Sequence, residues 1–303
     1  MAKPKVNLIV PCTARKTCKA DPSAQMRQVK SRDLESRVEE WFSRLKRIRT
    51  GYRPATNIYC GSSWTPVVGL SKCLDINVWI VSAGYGLIHH SDSIVSYAAT
   101  FSRLHPDSVS VETLFSTSDW WNQSCKYNIT GRSVKTISDV VKEDRTVPII
   151  VALSKNYLDA VYKDLCNARS NLESSNLLSI VSVGSTKDGE LLKNFLPCDT
   201  RMEKVIGWGR SSLNTRILSE LVKKCDVFDF ESLCSSIDRL QENQTPATYP
   251  VRERLTDAEV LDFITTNLRG TQSFTSILKR LRDSGRACEY QRFKSLYNRA
   301  TSK

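Results

Sequence analysis

Short apolar runs alternate with longer amphipathic segments along the first 225 residues. Five runs of four to seven residues are rich in β-branched side chains, a pattern typical of strands. The third run is apolar at almost every position, which favours a strand covered on both faces. The five predicted strands are residues 6–10, 57–60, 77–82, 148–153 and 177–183.

Between these runs, apolar residues recur at spacings of three and four, the period of an amphipathic helix. In residues 32–49, for example, Leu34, Val38 and Trp41 fall on one face, and the other face is crowded with Arg and Lys. Residues 84–132 show no clear period. Strands that alternate with helices predict an α/β fold, with a mostly parallel sheet and helices on both faces. The predicted helices of this part are residues 32–49, 65–74, 155–168 and 211–224.

The last quarter of the chain has a different pattern. Residues 241–254 are polar and contain two prolines, which indicates a linker. After them, Thr256 and Glu259 have the spacing of a capping box at the start of a helix. Further helices are predicted over 273–283 and 290–300. We therefore predict an α/β core over residues 1–240 and a small, basic helical module over residues 251–303.

The net charge is +12, and the excess lies at the two ends of the chain. Residues 1–54 hold 14 basic and 5 acidic residues, and residues 251–303 hold 11 and 6. A basic surface of this kind suits a polyanion such as a nucleic acid. The alternative is an ordinary soluble basic surface.

The ten cysteines and three histidines lack the spacing of a metal site. We expect reduced thiols, no metal and no nucleotide cofactor, since no glycine-rich phosphate motif follows the first strand. The chain shows no signal-peptide pattern and no apolar run of membrane-spanning length. These features predict a cytoplasmic protein without a membrane partner, and nothing in the sequence indicates a protein partner.

Small hydroxyl, glycine and cationic residues follow each predicted strand. In open α/β sheets, ligands bind beyond the carboxyl ends of the strands, so these segments predict an anion-binding cleft. Glycine and serine also occur in ordinary turns, which is the alternative reading. The phosphate-binding candidates from the first two strand ends are Thr13, Arg15, Lys16, Ser62 and Ser63.

The sharpest local signal is the segment 207–214, GWGRSSLN, which leads into a predicted helix. A helix N-terminus beside an arginine suits a phosphate group, although a plain capped helix has the same pattern. From this region we predict Arg201, Arg210, Ser211 and Asn214 as further phosphate-binding residues. Two carboxylates, Asp92 and Asp199, could assist catalysis or serve as caps and ion-pair partners.

Three segments resemble a bacterial protein family: residues 11–16 (PCTARK), 59–64 (YCGSSW) and 80–88 (IVSAGYGLI), the last followed by Asp92 and Tyr97. The family is related to the peroxide-stress DNA-binding YaaA family, and it is similar to phage-defence DNA glycosylases that remove modified cytosines. The resemblance covers about residues 5–225. The chain departs from the family pattern at Gly84 (usually Lys), Ser96 (usually Pro) and Ala98 (usually Asp).

The resemblance implies a uracil-glycosylase-like core that takes a flipped nucleotide of double-stranded, modified phage DNA. It implies hydrolysis of the N-glycosidic bond of a modified base, such as glucosylated hydroxymethylcytosine, to leave an abasic site. Asp92 or Asp199 would then be catalytic, and Tyr85, Tyr97, Tyr157 and Trp208 would stack on the base. The alternatives are a non-enzymatic DNA-binding protein of the YaaA kind and a base-exchange enzyme that acts on RNA.

Overall fold

The computed structural model describes residues 5–103, 105–111, 113–127, 129–184, 189–207, 209–248, 251–268 and 273–301, without the side chains of Arg210 and Gln291. The chain forms two compact units, Met1–Pro246 and Ala247–Lys303. The division falls inside residues 241–254, the segment predicted as a linker. No helix in the described ranges has both the length and the apolar character needed to cross a bilayer.

The first unit has seven strands and nine α-helices among its described residues. The strands are β1 (Val6–Pro11), β2 (Arg53–Pro54), β3 (Ile76–Ser82), β4 (Gly86–His89), β5 (Ser93–Ile94), β6 (Ile149–Ala152) and β7 (Leu178–Val181). The helices are α1 (Leu34–Arg47), α2 (Ala55–Ile58), α3 (Thr65–Leu70), α4 (Thr117–Tyr127), α5 (Ile137–Glu143), α6 (Lys155–Asn171), α7 (Arg201–Ile206), α8 (Leu213–Lys224) and α9 (Phe230–Gln241).

Five of the strands form one sheet in the order β4-β3-β1-β6-β7. β1 lies in the centre and pairs in parallel with β3 on one side and β6 on the other. β7 continues the parallel part beside β6, and β4 returns antiparallel along β3. The direction of winding therefore reverses at β1, which creates a crevice between the carboxyl ends of β1 and β6.

The sheet is covered on both faces, because successive residues of its central strand are buried although they point in opposite directions. Val6, Asn7, Leu8, Ile9 and Val10 of β1 are all buried. The helices α3, α7, α8 and α9 contact one another in one layer, and α1, α4, α5 and α6 contact one another in a second. The predicted α/β class with a mostly parallel, doubly covered sheet is confirmed.

The predicted strand over residues 57–60 is wrong. Residues 55–58 form the short helix α2, which follows Pro54, and Tyr59 then makes an isolated bridge with Lys16. The prediction failed because Ile58, Tyr59 and Cys60 have strand-like side chains but follow a proline that suits a helix start. The pattern also missed four helices, α4, α5, α7 and α9, and the antiparallel strand β4.

The second unit is built from α10 (Asp257–Asn267), α11 (Phe274–Asp283) and α12 (Tyr290–Thr301), with a parallel pair of short strands, β8 (Glu253–Arg254) and β9 (Arg286–Ala287). It has its own apolar core, which includes Val260, Ile264, Ile277, Leu281 and Phe293. Thr256 and Glu259 form the predicted capping box at the start of α10.

Candidate functional site

A cleft of about 420 Å³ opens at the carboxyl edge of the sheet, between the ends of β1 and β6. This volume is within the range of about 300–1,000 Å³ that is common for small-ligand sites. Seven of the residues predicted from the sequence line it: Thr13, Arg15, Ser62, Ser63, Tyr157, Ser211 and Asn214. The cleft thus brings together four segments: those after β1, before α3, at the start of α6 and before α8.

None of the described residues that line the cleft is an Asp or a Glu. Arg15 is exposed there, and its guanidinium makes no ion pair or hydrogen bond with any described residue. Gly61, with φ of 107°, lies beside it, and a Cβ atom at Gly61 would approach Cδ of Arg15 to 3.6 Å. An anion in the cleft could therefore pair with Arg15 and would meet no carboxylate among the described lining residues.

Backbone amides add to the donors of the cleft. In the turn Gly61–Ser63, two carbonyl oxygens already accept hydrogen bonds from the protein. Gly61 O accepts from Trp64 N, and Ser62 O accepts from Arg216. The amides of Ser62 and Ser63 find no acceptor among the described residues. Ser154, on the wall of the cleft, is the N-cap of α6, a helix of 17 residues whose first amides lack intrahelical partners. A helix start and a turn with free amides both favour an anionic ligand.

Asn214 has a structural role in the wall of the cleft. Its Oδ1 accepts from Val183 N at 3.0 Å, and its Nδ2 donates to Leu153 O at 2.9 Å. It therefore links α8 to the backbone just beyond β6 and β7. One amide hydrogen remains for a ligand, so the predicted phosphate contact of Asn214 is secondary to this clamp.

Tyr157 supplies an aromatic face to the cleft. Its hydroxyl lies 3.2 Å from Cys12 Sγ and donates to Cys12 O at 3.3 Å, and its ring packs edge-on against Phe101. Burial and the Cys12 thiol raise the pKa of Tyr157, so the phenol stays protonated. A fixed, half-buried ring of this kind suits stacking against a base.

Lys16, predicted to bind phosphate, lies behind the cleft wall and does not line it. Its ammonium donates to Thr13 O at 3.1 Å and lies 4.3 Å from the centre of the Tyr97 ring. Burial lowers the pKa of Lys16, and the nearby Cys12 and Asp107 oppose that shift. The predicted direct phosphate contact of Lys16 is therefore not supported by its position, because its ammonium is engaged by Thr13 O and the Tyr97 ring.

Tyr85 and Tyr97 are core residues, so the prediction that they stack on a base is wrong. Their side chains are 2% and 1% exposed. The Tyr97 hydroxyl lies 2.6 Å from Ser82 Oγ and 3.0 Å from the Tyr59 hydroxyl. The end of β3 is therefore filled by the protein's own aromatic rings.

Asp92, predicted as a catalytic residue, lies at the opposite edge of the sheet and does not line the cleft. Because β4 is antiparallel, His89 returns to a position opposite Trp79, and Asp92 follows it. The Asp92 carboxylate is buried, forms an ion pair with Arg132 and accepts from His89 N at 2.9 Å. Its role is to hold this turn.

His89 gives this turn a pH dependence. Burial, followed by the charges of His90 and Arg132, lowers the pKa of His89 from 6.5 to about 3. Between pH 3 and pH 6.5, His89 is therefore protonated in the unfolded chain but neutral in the folded chain. The contribution of His89 to the free energy of unfolding is fully present above pH 6.5. It is lost as the pH drops toward 3, by less than about 1.4 kcal/mol per pH unit. Urea unfolding from pH 7 to pH 4 should show a shallower loss in His89→Gln than in the wild type. Equal slopes would contradict the prediction.

Asp199 and Arg201 pair with each other outside the cleft. Arg201 Nε lies 2.9 Å from Asp199 Oδ2, and Asp199 N donates to Gln241 Oε1 at 3.0 Å. Neither side chain lines the cleft, so the predicted roles of Asp199 in catalysis and of Arg201 in phosphate binding stay predictions that the cleft does not support. The backbone amide of Asp199, bound to Gln241, links the segment before α7 to the end of α9.

Two of the predicted residues cannot be placed. Trp208 lies outside the described residues, and so does the side chain of Arg210. The segment after β7 is also outside the described ranges at residues 185–188. Their predicted roles stay predictions. The sequence did not point to Ala99 or Thr100, which also line the cleft and come from the aperiodic segment after β5.

A larger groove, of about 860 Å³, lies between α3, α7 and α8. It mixes cations such as Lys5 and Lys223 with carboxylates such as Asp75 and Asp226, and so lacks the single-sign character of the cleft. Within the described ranges, His, Cys, Asp and Glu side chains form no group of three or more that could hold a metal ion.

Comparison of the chain with models of protein families, with curated proteins and with solved structures finds no match in any of the three. The likeness to the YaaA family and to phage-defence glycosylases therefore remains an expectation from the sequence motifs. The geometry of the cleft at the carboxyl edge of the sheet carries the functional argument.

Proposed function

We propose that the protein is a DNA glycosylase that holds one extruded nucleotide in the cleft and releases its modified base. The observation that carries this proposal is that one cleft brings together an unpaired cation, Arg15, and a fixed aromatic ring, Tyr157. A nucleotide needs a phosphate grip and an aromatic contact, and the cleft supplies both within about 420 Å³. Phage DNA in the cytoplasm is the substrate that the sequence resemblance favours.

The donors of the cleft suit the departure of a base. When the C1′–N bond breaks, the base takes the electron pair, and donors fixed around it stabilise the developing negative charge. Ser62 and Ser63 carry hydroxyls at the wall, and the Lys16 ammonium lies behind it, whereas the Thr13 hydroxyl donates to Arg15 O at 2.7 Å. Water then adds to C1′ and its proton passes to the departed base or the solvent, which leaves an abasic site.

A second candidate is a DNA-binding protein without base release. It is favoured by one observation: no described residue that lines the cleft is an Asp or a Glu that could assist cleavage. Asp92 and Asp199, the predicted candidates, are both bound to arginines elsewhere. In this case the same cleft would hold the flipped nucleotide without cleaving it.

Base release separates the two candidates. The full chain is incubated with duplexes that carry modified cytosines, and abasic sites are scored by alkaline cleavage and free base by mass spectrometry. Release of free base supports the glycosylase. Salt-sensitive binding without release supports the DNA-binding alternative, and activity only on tRNA supports the base-exchange enzyme.

The Arg15→Ala variant tests whether the cleft binds phosphate. Loss of one phosphate contact should weaken duplex binding by about tenfold and reduce the slope of log K against log salt by about 0.9. The matched control is Lys72→Ala, which removes one exposed cation between α3 and β3, at the amino edge of the sheet. Fluorescence anisotropy at several salt concentrations measures both. An unchanged slope in Arg15→Ala would remove Arg15 from the site.

A further inference from the structure

The C-terminal unit separates its charges between its helices. α10 carries Asp257, Glu259 and Asp262 and no cation. α11 and α12 together carry six cations and one carboxylate, Asp283. Such a separation gives a polyanion one attractive side. The cations of α11 and α12 are Lys279, Arg280, Arg282, Arg292, Lys294 and Arg299.

At least three of these six cations are available to a ligand. Arg292 is used inside the unit by an ion pair with Asp257, and Arg282 bonds Cys288 O. Lys279, Lys294 and Arg299, in contrast, are exposed and make no ion pair with any described carboxylate. The surface therefore keeps unneutralised charge on two adjacent helices.

An aromatic cluster lies on the same helices. The Phe274 ring, at the start of α11, has its centre 5.3 Å from that of Tyr290, at the start of α12, in an edge-to-face arrangement. The centre of the Tyr297 ring lies 6.1 Å from that of Phe274. Lys294, one turn after Tyr290, places its ammonium 5.7 Å from the centre of the Phe274 ring.

Tyr290 differs from the other two rings in its exposure. Phe274 and Tyr297 pack against the apolar core of the unit, whereas Tyr290 is 41% exposed. Its hydroxyl has no hydrogen-bond partner among the described residues. An exposed ring that its neighbour holds in one orientation, beside a free ammonium, has the features of a base-stacking surface.

We propose that Tyr290, Phe274 and Lys294 form a platform on which an unpaired base of single-stranded nucleic acid stacks. Tyr290 offers its face to the base, Phe274 fixes the orientation of that ring, and Lys294 contacts the adjacent phosphate. The free cations of α11 and α12 extend the contact along the strand. Stacking does not read base identity, so the platform accepts any sequence. It is separate from the cleft and does not depend on base release.

The test uses the full chain and a labelled oligothymidylate, with affinity measured by anisotropy. Tyr290→Leu keeps an apolar contact with Phe274 but removes the aromatic face, and it should weaken binding roughly 5- to 100-fold, the range for loss of one stacked base. Tyr290→Phe should bind like the wild type. The matched control is Tyr52→Leu, since Tyr52 is 42% exposed but lies in the first unit, and its affinity should not change.

Lys294→Gln provides a second measurement that does not disturb the aromatic packing. It should lower the salt slope for the single strand by about 0.7. If Tyr290→Leu binds as tightly as Tyr52→Leu, or Lys294→Gln keeps the wild-type slope, the platform is overturned. Base release from modified duplexes is followed in the same variants. Failure of the platform leaves that activity and its Arg15 dependence intact, so the two proposals fail separately.

Discussion

Replacing Asp164 by alanine is expected to lower the free energy of unfolding of the first unit by about 3–5 kcal/mol, because three buried donors lose their only acceptor. Asp164, on α6, accepts from Trp121 Nε1 at 3.1 Å, Ile137 N at 2.9 Å and Ser138 N at 3.0 Å. The carboxylate thus joins α4 to α6 and caps the start of α5. Burial raises the pKa of Asp164, and the three donors oppose that shift.

Asp164→Asn should also be destabilising, because the NH2 group of the asparagine cannot accept a hydrogen bond and would face N–H groups that now donate to the carboxylate. The matched control is Asp159→Ala on the same helix: Asp159 is exposed and pairs only with Lys155, so its loss should change stability by less than about 0.5 kcal/mol. All six tryptophans belong to the first unit, so their fluorescence during urea unfolding reports on that unit alone. A loss below 1 kcal/mol in Asp164→Ala would contradict the prediction.

The hydrophobic pattern of the sequence correctly predicted the strands whose residues are almost all buried. β1, β3, β6 and β7 are buried on both faces, so their residues are continuously apolar and easily recognised. α4 was missed because the adjacent Trp120 and Trp121 are both buried but turn to different partners. Trp120 donates to Ala83 O, and Trp121 donates to Asp164. A helix that is buried on more than one side has no single apolar stripe, so its sequence lacks the 3.6-residue period of an amphipathic helix.

The candidate site could be predicted in part for a topological reason. The carboxyl ends of parallel strands meet at one edge, so reading the residue after each strand brought Thr13 and Arg15 to the same cleft as Ser154. The rule failed beyond β3, because β4 is antiparallel and carries the chain back to the opposite edge. Asp92 moved away from the cleft with it. Strand direction depends on tertiary pairing, which the local pattern does not contain.

The second large effect is expected at Gly84, which lies between β3 and β4. A Cβ atom at Gly84 would lie 2.5 Å from both Cδ2 and Cε2 of Tyr97 and 3.2 Å from Cζ2 of Trp41. The Tyr97 ring cannot withdraw easily, because its hydroxyl is held by Ser82 and Tyr59. Gly84→Ala should therefore destabilise the first unit by about 3 kcal/mol, at the upper end of the usual cost of overpacking.

The Tyr97 ring thus occupies the space that a side chain at position 84 would need. Gly84→Ala should cost less in a Tyr97→Leu background, so the two substitutions should be non-additive in a double-mutant cycle. Gly69→Ala is the matched control, since a Cβ atom there meets nothing within 4 Å and the residue lies in α3. It should be neutral or stabilising by up to about 1 kcal/mol. Additive losses at Gly84 and Tyr97 would show that the ring does not set the cost.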